Sequence, residues 1–205
     1  MKLYCLAGAC SLADHIVLEW IGQPYQVKLL GRDELKSPAY LAINPGGSVP
    51  ALVDDDGWVL TENVAILNYL ADRFPEAGLG GDGTPRGRAE VNRWLAFINS
   101  DLHKSFLPLF APHRFLADVG QHEALQEQAR RNVRGLLERL DRHLAGQPWL
   151  AGGQRSIADP YLYVVLRWAA ATGVDTGSLD HLAAFTARMD VDPGVQAALN
   201  AEGQA

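Results

Sequence analysis

The sequence predicts a small α/β domain followed by an all-α domain, and two observations support this. Short apolar strands alternate with helical segments up to residue 75, whereas every segment after residue 88 has helical spacing only. Residues 77–88 between them contain five glycines and a proline, which is typical of a linker. We therefore place the domains at residues 1–78 and 86–205.

The first domain is predicted to have the order βαβ and then ββα, which is the thioredoxin-like arrangement. Its predicted strands are residues 2–6, 25–30, 49–53 and 58–60, and its predicted helices are residues 11–21 and 64–74, with a short helix near 33–36. The first two strands should be parallel because a crossover helix joins them. The last two strands should form a hairpin, since residues 54–57 read Asp-Asp-Asp-Gly.

The second domain has apolar stripes at helical spacing. The predicted helices are residues 89–109, 123–144, 157–172, 179–189 and 193–200. The third is nearly all apolar, which predicts a buried central helix. Ser156 and Asp159 before it have the spacing of a capping box, so we predict that both stabilise the helix start and have no catalytic role.

Composition excludes several classes of protein. The 205 residues are 48% hydrophobic and 20% charged, which suits a packed core. A formal charge of −6 without a basic run argues against nucleic acid and anionic membranes as partners. No apolar run is long enough to span a bilayer, and the apolar start of the chain is too short for a signal peptide. Two cysteines suggest no disulfide framework, so we expect a cytoplasmic protein.

Pro50 is the unusual residue of the predicted hairpin. Proline cannot donate to a strand ladder, so it belongs at the first position or the edge of a strand. After the breaker cluster at residues 44–47, the Val49–Pro50 bond is a candidate for a cis peptide. A cis bond would turn the Val49 backbone outward, where it suits an extended peptide ligand. The alternative is an ordinary surface hairpin with a trans proline.

The helix after the hairpin begins with Glu62 and Asn63, and we expect Asn63 or Thr61 to cap it. An acidic side chain beside a helix N-terminus offers one subsite for an ammonium group and one for a carboxylate. Both charges occur at the end of a γ-glutamyl group. The stretch resembles the glutathione-binding element of glutathione transferases, with Asn63 in place of the usual serine. The resemblance implies that Val49, Pro50, Glu62 and Asn63 bind glutathione.

Cys10 follows a turn of small residues at the start of the first predicted helix. We expect the helix dipole to lower the pKa of its thiol and the small neighbours to leave it accessible. The alternative is a plain structural cysteine. Cys5 lies in mid-strand, as a small buried apolar residue does. Two cysteines at this spacing without a histidine pair make a poor metal site, so no metal is predicted.

The run around Cys10 reads G-A-C-S-L-A and resembles the signature of the bacterial beta class of glutathione transferases. Ala7 stands where the class has a proline. The resemblance implies that Cys10 contacts the sulfur of glutathione and can form a mixed disulfide with it. It also implies a homodimer with a detoxifying activity that uses glutathione as co-substrate and no other cofactor.

His103 and Lys104 lie on the first helix of the second domain, which should face the cleft between the domains. A histidine there could donate a hydrogen bond to a thiolate, and the lysine adds positive potential. The alternative is a solvated polar stripe. The beta class carries the same Leu-His-Lys run, so the resemblance implies that His103 is catalytic. With Lys104 it would also bind glutathione.

Asn99 and Ser100 precede this run and are included among the glutathione-binding residues that the resemblance implies. Ala96 stands where the class has an asparagine, and Asn99, one helical turn on, is the candidate to replace it. We assign Arg167 and Trp168 to core and interdomain packing rather than to substrate contact.

The first hypothesis is therefore an enzyme that conjugates the glutathione thiolate to small hydrophobic electrophiles. Two alternatives stay open: glutathione-dependent thiol–disulfide exchange through Cys10, and a non-catalytic ligand-binding protein on the same scaffold. The departures at Ala7, Asn63 and Ala96 leave room for the second alternative. The sequence does not identify the electrophile, because generic apolar helix residues line that half of the cleft.

Overall fold

The computed structural model describes residues 1–204, and its first domain contains a four-stranded mixed sheet. Strand β1 (Lys2–Cys5) pairs in parallel with β2 (Gln26–Leu29). On its other side β1 pairs antiparallel with β3 (Ala51–Val53), which pairs antiparallel with β4 (Val59–Thr61). The spatial order β2-β1-β3-β4 confirms the predicted βαβ-ββα arrangement.

Three helices belong to the first domain and six to the second within the described residues. They are α1 (Ser11–Ile21), α2 (Pro38–Leu41), α3 (Asn63–Arg73), α4 (Pro85–Phe97), α5 (Leu107–Phe110), α6 (His122–Leu144), α7 (Ala158–Ala171), α8 (Asp180–Asp190) and α9 (Pro193–Ala201). A 3₁₀ turn at Asp33–Lys36 matches the predicted short helix. None of the helices in residues 1–204 is both long enough and apolar enough to cross a bilayer.

The single helix predicted over residues 89–109 is wrong. Helix α4 ends at Phe97, a π-helical turn spans Ile98–His103, and α5 begins at Leu107. Pro108 lies in the first turn of α5, where proline is tolerated because the first N–H groups have no helical partner. π-Helical turns are frequent at functional sites, and this one ends at His103.

Helix α7 is the buried centre of the second domain, as predicted, and is enclosed from Ala158 to Leu166. The capping box at its start is confirmed. The Ser156 amide donates to Asp159 Oδ2 at 2.7 Å, and the Ala158 amide donates to Ser156 Oγ at 3.3 Å. Asp159 also accepts from the Leu150 amide at 2.9 Å, so it ties the preceding loop to the helix.

The end of the described chain returns to the first domain. The buried Glu202 places Oε1 3.0 Å from His15 Nδ1, and its Oε2 accepts from the Gly8 amide at 3.3 Å. Gly8 has φ of +73°, and a Cβ there would lie 2.8 Å from Gln204 Nε2. Helix α1 packs against α9, α7 and α3, so the two domains share one continuous core.

Candidate active site

A cleft of about 360 Å³ opens between the first turn of the chain and the helical domain. It is lined by Leu6, Ala7, Gly8, Ala9, Cys10, Arg32, His103, Phe110 and Trp168. Cys10 and His103 come from different domains and meet in this cleft. Both are predicted catalytic residues, and the structure places them together.

Cys10 lies immediately before α1 and is partly exposed to the cleft. Its Sγ donates to the Val49 carbonyl oxygen at 3.6 Å. The Val49–Pro50 peptide bond is cis, as predicted, and Pro50 is buried while Val49 is partly exposed. The Cys10 thiol therefore lies against the backbone expected to hold an extended peptide.

The expected depression of the pKa of Cys10 is wrong. Burial raises the pKa of Cys10 to about 12, and the carboxyl of Asp14, one turn along α1, adds to the rise. Hydrogen bonds from the backbone amides of Cys10 and Ser11 act in the opposite direction but are outweighed. At neutral pH the side chain of Cys10 is a thiol and serves as a hydrogen-bond donor.

His103 is held by Tyr161, which is itself hydrogen-bonded to Asn99. Its Nδ1 lies 2.6 Å from the Tyr161 hydroxyl, which donates to Asn99 Oδ1 at 3.1 Å. With the one hydroxyl hydrogen directed to Asn99, the imidazole hydrogen is assigned to Nδ1 and the lone pair to Nε2. Burial lowers the pKa of His103 to about 4, and the charge of Lys104 contributes, so the imidazole is neutral at pH 7.

The assignment of Trp168 to interdomain packing is confirmed, and its ring also forms a wall of the cleft. Its centroid lies 4.7 Å from that of His103 and 5.4 Å from that of Phe110. Its Nε1 donates to the Gly8 carbonyl at 2.8 Å, which joins the helical domain to the Cys10 turn. Tyr161 and Trp168 are seven residues apart on α7, so they share a face, but this spacing alone does not show that the face meets the cleft.

Two further cleft residues were missed. Arg32 begins the 3₁₀ turn after β2, and no pattern in the sequence distinguishes it from other exposed arginines. Phe110 follows Phe106 by one turn and stacks on it with a centroid distance of 5.9 Å. The same apolar spacing occurs in many buried helices, so it does not identify a cleft residue. Arg167 packs outside the cleft, with NH1 3.4 Å from the Tyr163 hydroxyl.

The start of α3 differs from the expectation that Asn63 or Thr61 caps the helix. Glu62 occupies the capping position with φ of +72°, and it makes no side-chain capping bond. Asn63 is the first helical residue and is buried, and its side-chain amide faces the carboxyl group of Asp14. With the amide nitrogen assigned to that side, where it can donate, the nitrogen lies 2.6 Å and 3.2 Å from the two carboxyl oxygens. No side chain at the capping position therefore occupies the first amides of α3, while the Glu62 side chain is exposed.

Of the nine predicted glutathione-binding residues, two line this cleft, namely Cys10 and His103. Val49, Pro50, Glu62 and Asn63 lie outside its lining in the first domain, and three others lie outside it in the helical domain. Asn99 accepts from Tyr161, and Ser100 Oγ donates to the Ala96 carbonyl at 2.7 Å. Lys104 is exposed beside His103. Asn99 thus supports His103 through Tyr161, and direct contact of these three residues with glutathione stays a prediction.

Comparison with known proteins identifies the family. Residues 9–73 match the family model described as the N-terminal domain of glutathione S-transferase, and residues 91–192 match the model of its C-terminal domain. The chain belongs to the glutathione S-transferase family. It is 53% identical over 203 residues to glutathione S-transferase GST-4.5 of Xanthomonas campestris pv. campestris, covering 99% of both chains.

Solved glutathione S-transferase structures agree with this assignment. The enzyme from Xylella fastidiosa superposes with a TM-score of 0.95 at 53% identity, over 100% of this chain and 99% of that one. A bacterial beta class glutathione S-transferase of Sphingomonas chungbukensis has a TM-score of 0.89 at 39% identity, over 100% of both chains. The resemblance to the beta class in the sequence is confirmed.

Proposed function

We propose that this glutathione S-transferase conjugates the thiolate of glutathione to small electrophiles at the cleft between Cys10 and His103. The observation that carries the proposal is their meeting in one cleft of about 360 Å³, with the Val49 carbonyl in contact with the Cys10 thiol. A cleft of this size suits a small molecule, since ligand pockets typically measure about 300–1,000 Å³.

Glutathione would lie along the first domain. The exposed carboxylate of Glu62 would bind the α-ammonium group, and the first amides of α3 would bind the α-carboxylate. The Val49 backbone would pair with the cysteinyl residue of the tripeptide. Arg32, exposed at the edge of the cleft, offers a positive charge to a further carboxylate.

His103 would accept the thiol proton. Its Nε2 has the lone pair, and the thiolate formed beside it would raise the pKa of His103 from about 4 by adding an opposite charge. Cys10 would then donate its S–H to the thiolate. Lowering the thiol pKa by about two units amounts to about 2.7 kcal/mol of ionisation free energy. The thiolate attacks the electrophile, and no metal or organic cofactor is needed because glutathione supplies the nucleophile.

The electrophile would lie against the aromatic wall. Trp168 and Phe110 both face the cleft, and Phe110 is 48% exposed although it is a large apolar residue. Exposed aromatic faces next to the reacting sulfur favour apolar or aromatic substrates.

The state of Cys10 favours conjugation over thiol–disulfide exchange. Exchange requires an attacking thiolate, and a pKa of about 12 leaves Cys10 protonated at neutral pH. Protonated Cys10 suits the role of hydrogen-bond donor instead.

The test is a conjugation assay with glutathione and a panel of aryl halides, enones and epoxides. We expect saturation in both substrates, and loss of turnover in a His103→Ala variant that still binds glutathione. Binding of glutathione by calorimetry without turnover of any electrophile would overturn the proposal and support a non-catalytic binding protein.

We also propose that the protein is a homodimer in the cytoplasm. Family membership supports the dimer, and the two free cysteines fit a reducing compartment. Light scattering of the eluted protein would distinguish a dimer from a monomer.

A further inference from the structure

Asp14 is a fully buried carboxyl group that the proposed reaction does not use. It lies on α1, one turn after Cys10, and the Asn63 amide nitrogen meets its two oxygens at 2.6 Å and 3.2 Å. This contact joins the helix that carries the thiol to the helix that begins at the glutathione site. An amide nitrogen within hydrogen-bond distance of both carboxyl oxygens restrains the separation of the two helices at this point.

Asn63 occupies a critical position in this contact. It follows Glu62, whose φ is +72°, and it is the first residue of α3. The side chain is turned into the protein and 5% exposed, so any ligand at this turn meets the backbone amide of Asn63.

Stability alone does not account for Asp14. Burying a carboxyl group costs free energy that an apolar residue of similar size would not cost. The chain nevertheless places a carboxyl where its contact fixes the start of α3.

We propose that Asp14 is a positioning residue that acts through Asn63 to hold the first turn of α3 in the orientation that binds the γ-glutamyl carboxylate. The inference rests on the proposed glutathione site. It predicts that the pair controls affinity for glutathione and leaves the later chemical step largely unchanged.

The experiment compares Asp14→Ala, Asn63→Ala and the double variant by calorimetric titration with glutathione and by steady-state kinetics. We expect each single variant to weaken glutathione binding about 10-fold, as loss of a buried hydrogen bond does, with kcat changed less than about 3-fold. The double variant should bind no more weakly than either single variant, because the two side chains act as one unit. Asp14→Asn retains an acceptor for the Asn63 amide and should bind within about 3-fold of the parent.

The matched control is Asp72→Ala on α3, the helix that begins with Asn63. Asp72 pairs with Arg88 near the other end of α3, and its side chain is 69% exposed. We expect its glutathione affinity to equal that of the parent. Thermal melting of every variant separates a loss of folded protein from a loss of affinity.

The outcomes separate the two proposals. Unchanged glutathione affinity in folded Asn63→Ala, or additive losses in the double variant, would overturn the positioning role. If Asp14→Ala does not fold, Asn63→Ala decides the question alone. A parent protein that binds glutathione and turns over no electrophile refutes the transferase proposal. If Asn63→Ala then binds glutathione more weakly than that parent, the positioning role is still supported. A parent that does not bind glutathione overturns both.

Discussion

The two sides of the cleft are built from different kinds of atoms. The first domain lines it with the small-residue turn at 6–9 and the thiol of Cys10, and it offers main-chain groups nearby, namely the Val49 backbone and the first amides of α3. The helical domain offers side chains: His103 supported by Tyr161, and the ring of Trp168. A main-chain surface suits a constant ligand such as glutathione, whereas side chains determine the chemistry and the second substrate.

The largest expected effect comes from a substitution that changes only the side-chain half of the cleft. His103→Ala should lower kcat about 100-fold, the usual contribution of a positioned acid–base group, because it removes the proton acceptor. Affinity for glutathione should change little, since the main-chain half is intact. Steady-state kinetics and calorimetry measure the two quantities separately, with the exposed His113→Ala as the matched control. An equal loss in affinity and kcat would show that the two halves are not separable.

A smaller effect is expected from Cys10→Ala. It removes one hydrogen bond to the thiolate, so kcat/KM for conjugation should fall about 5-fold, which corresponds to about 1 kcal/mol. Mass spectrometry should find no glutathione adduct on the variant. A 1,000-fold loss would mean that Cys10 acts as a nucleophile, contrary to its protonated state.

A substitution at the start of α7, away from the cleft, should weaken the helix that carries the side-chain half. Ser156→Ala removes the acceptor of the Ala158 amide and should lower the free energy of unfolding by about 1 kcal/mol. Because α7 carries Tyr161 and Trp168, kcat near the melting temperature should fall before affinity for glutathione does. Denaturant unfolding measures the first effect, and Ser105→Ala on the helical domain is the control. No change in unfolding would contradict the capping role.

The smallest expected effects are two pH dependences. His103 has a folded-state pKa of about 4, below its unfolded value of about 6.5, so the unfolded chain binds the extra proton between these values. The contribution of His103 to stability is therefore lost as pH falls from about 6.5 to about 4. The difference in melting temperature between the parent and His103→Gln should fall as the pH is lowered through this range. A flat difference would contradict it.

The second pH dependence concerns Cys10. Alkylation of Cys10 by iodoacetamide should keep rising with pH and reach no plateau near neutrality, because its pKa is about 12. Asp14→Asn removes a charge that raises this pKa and should move the profile to lower pH. A plateau near pH 7 in the parent would restore the expectation of a helix-dipole thiolate.

The predictability of the two halves differs for a physical reason. The main-chain half depends on neighbouring residues: Pro50 after a glycine-rich loop, and Glu62 before a helix, are visible as short patterns. The side-chain half depends on contacts such as that between His103 and Tyr161, which are 58 residues apart. The family resemblance supplied His103, but the spacing of residues alone did not supply Tyr161 or Trp168.

The pKa of Cys10 illustrates the same limit. A helix start is a local feature and predicts a lowered pKa, whereas burial and the Asp14 charge are properties of the folded protein. Here the tertiary effects outweigh the local one. The predicted single helix at residues 89–109 was wrong for a related reason, since the periodic apolar stripe continues through a π-helical turn.

The contact of Glu202 with Gly8 and His15 has a consequence for biosynthesis. Gly8 and Glu202 are separated by 194 positions along the chain. While a ribosome is still translating α9, the nascent glutathione-binding domain has no carboxylate beside His15 and no partner over the Gly8 turn. The wall beside Cys10 is therefore completed only after the helical domain has emerged.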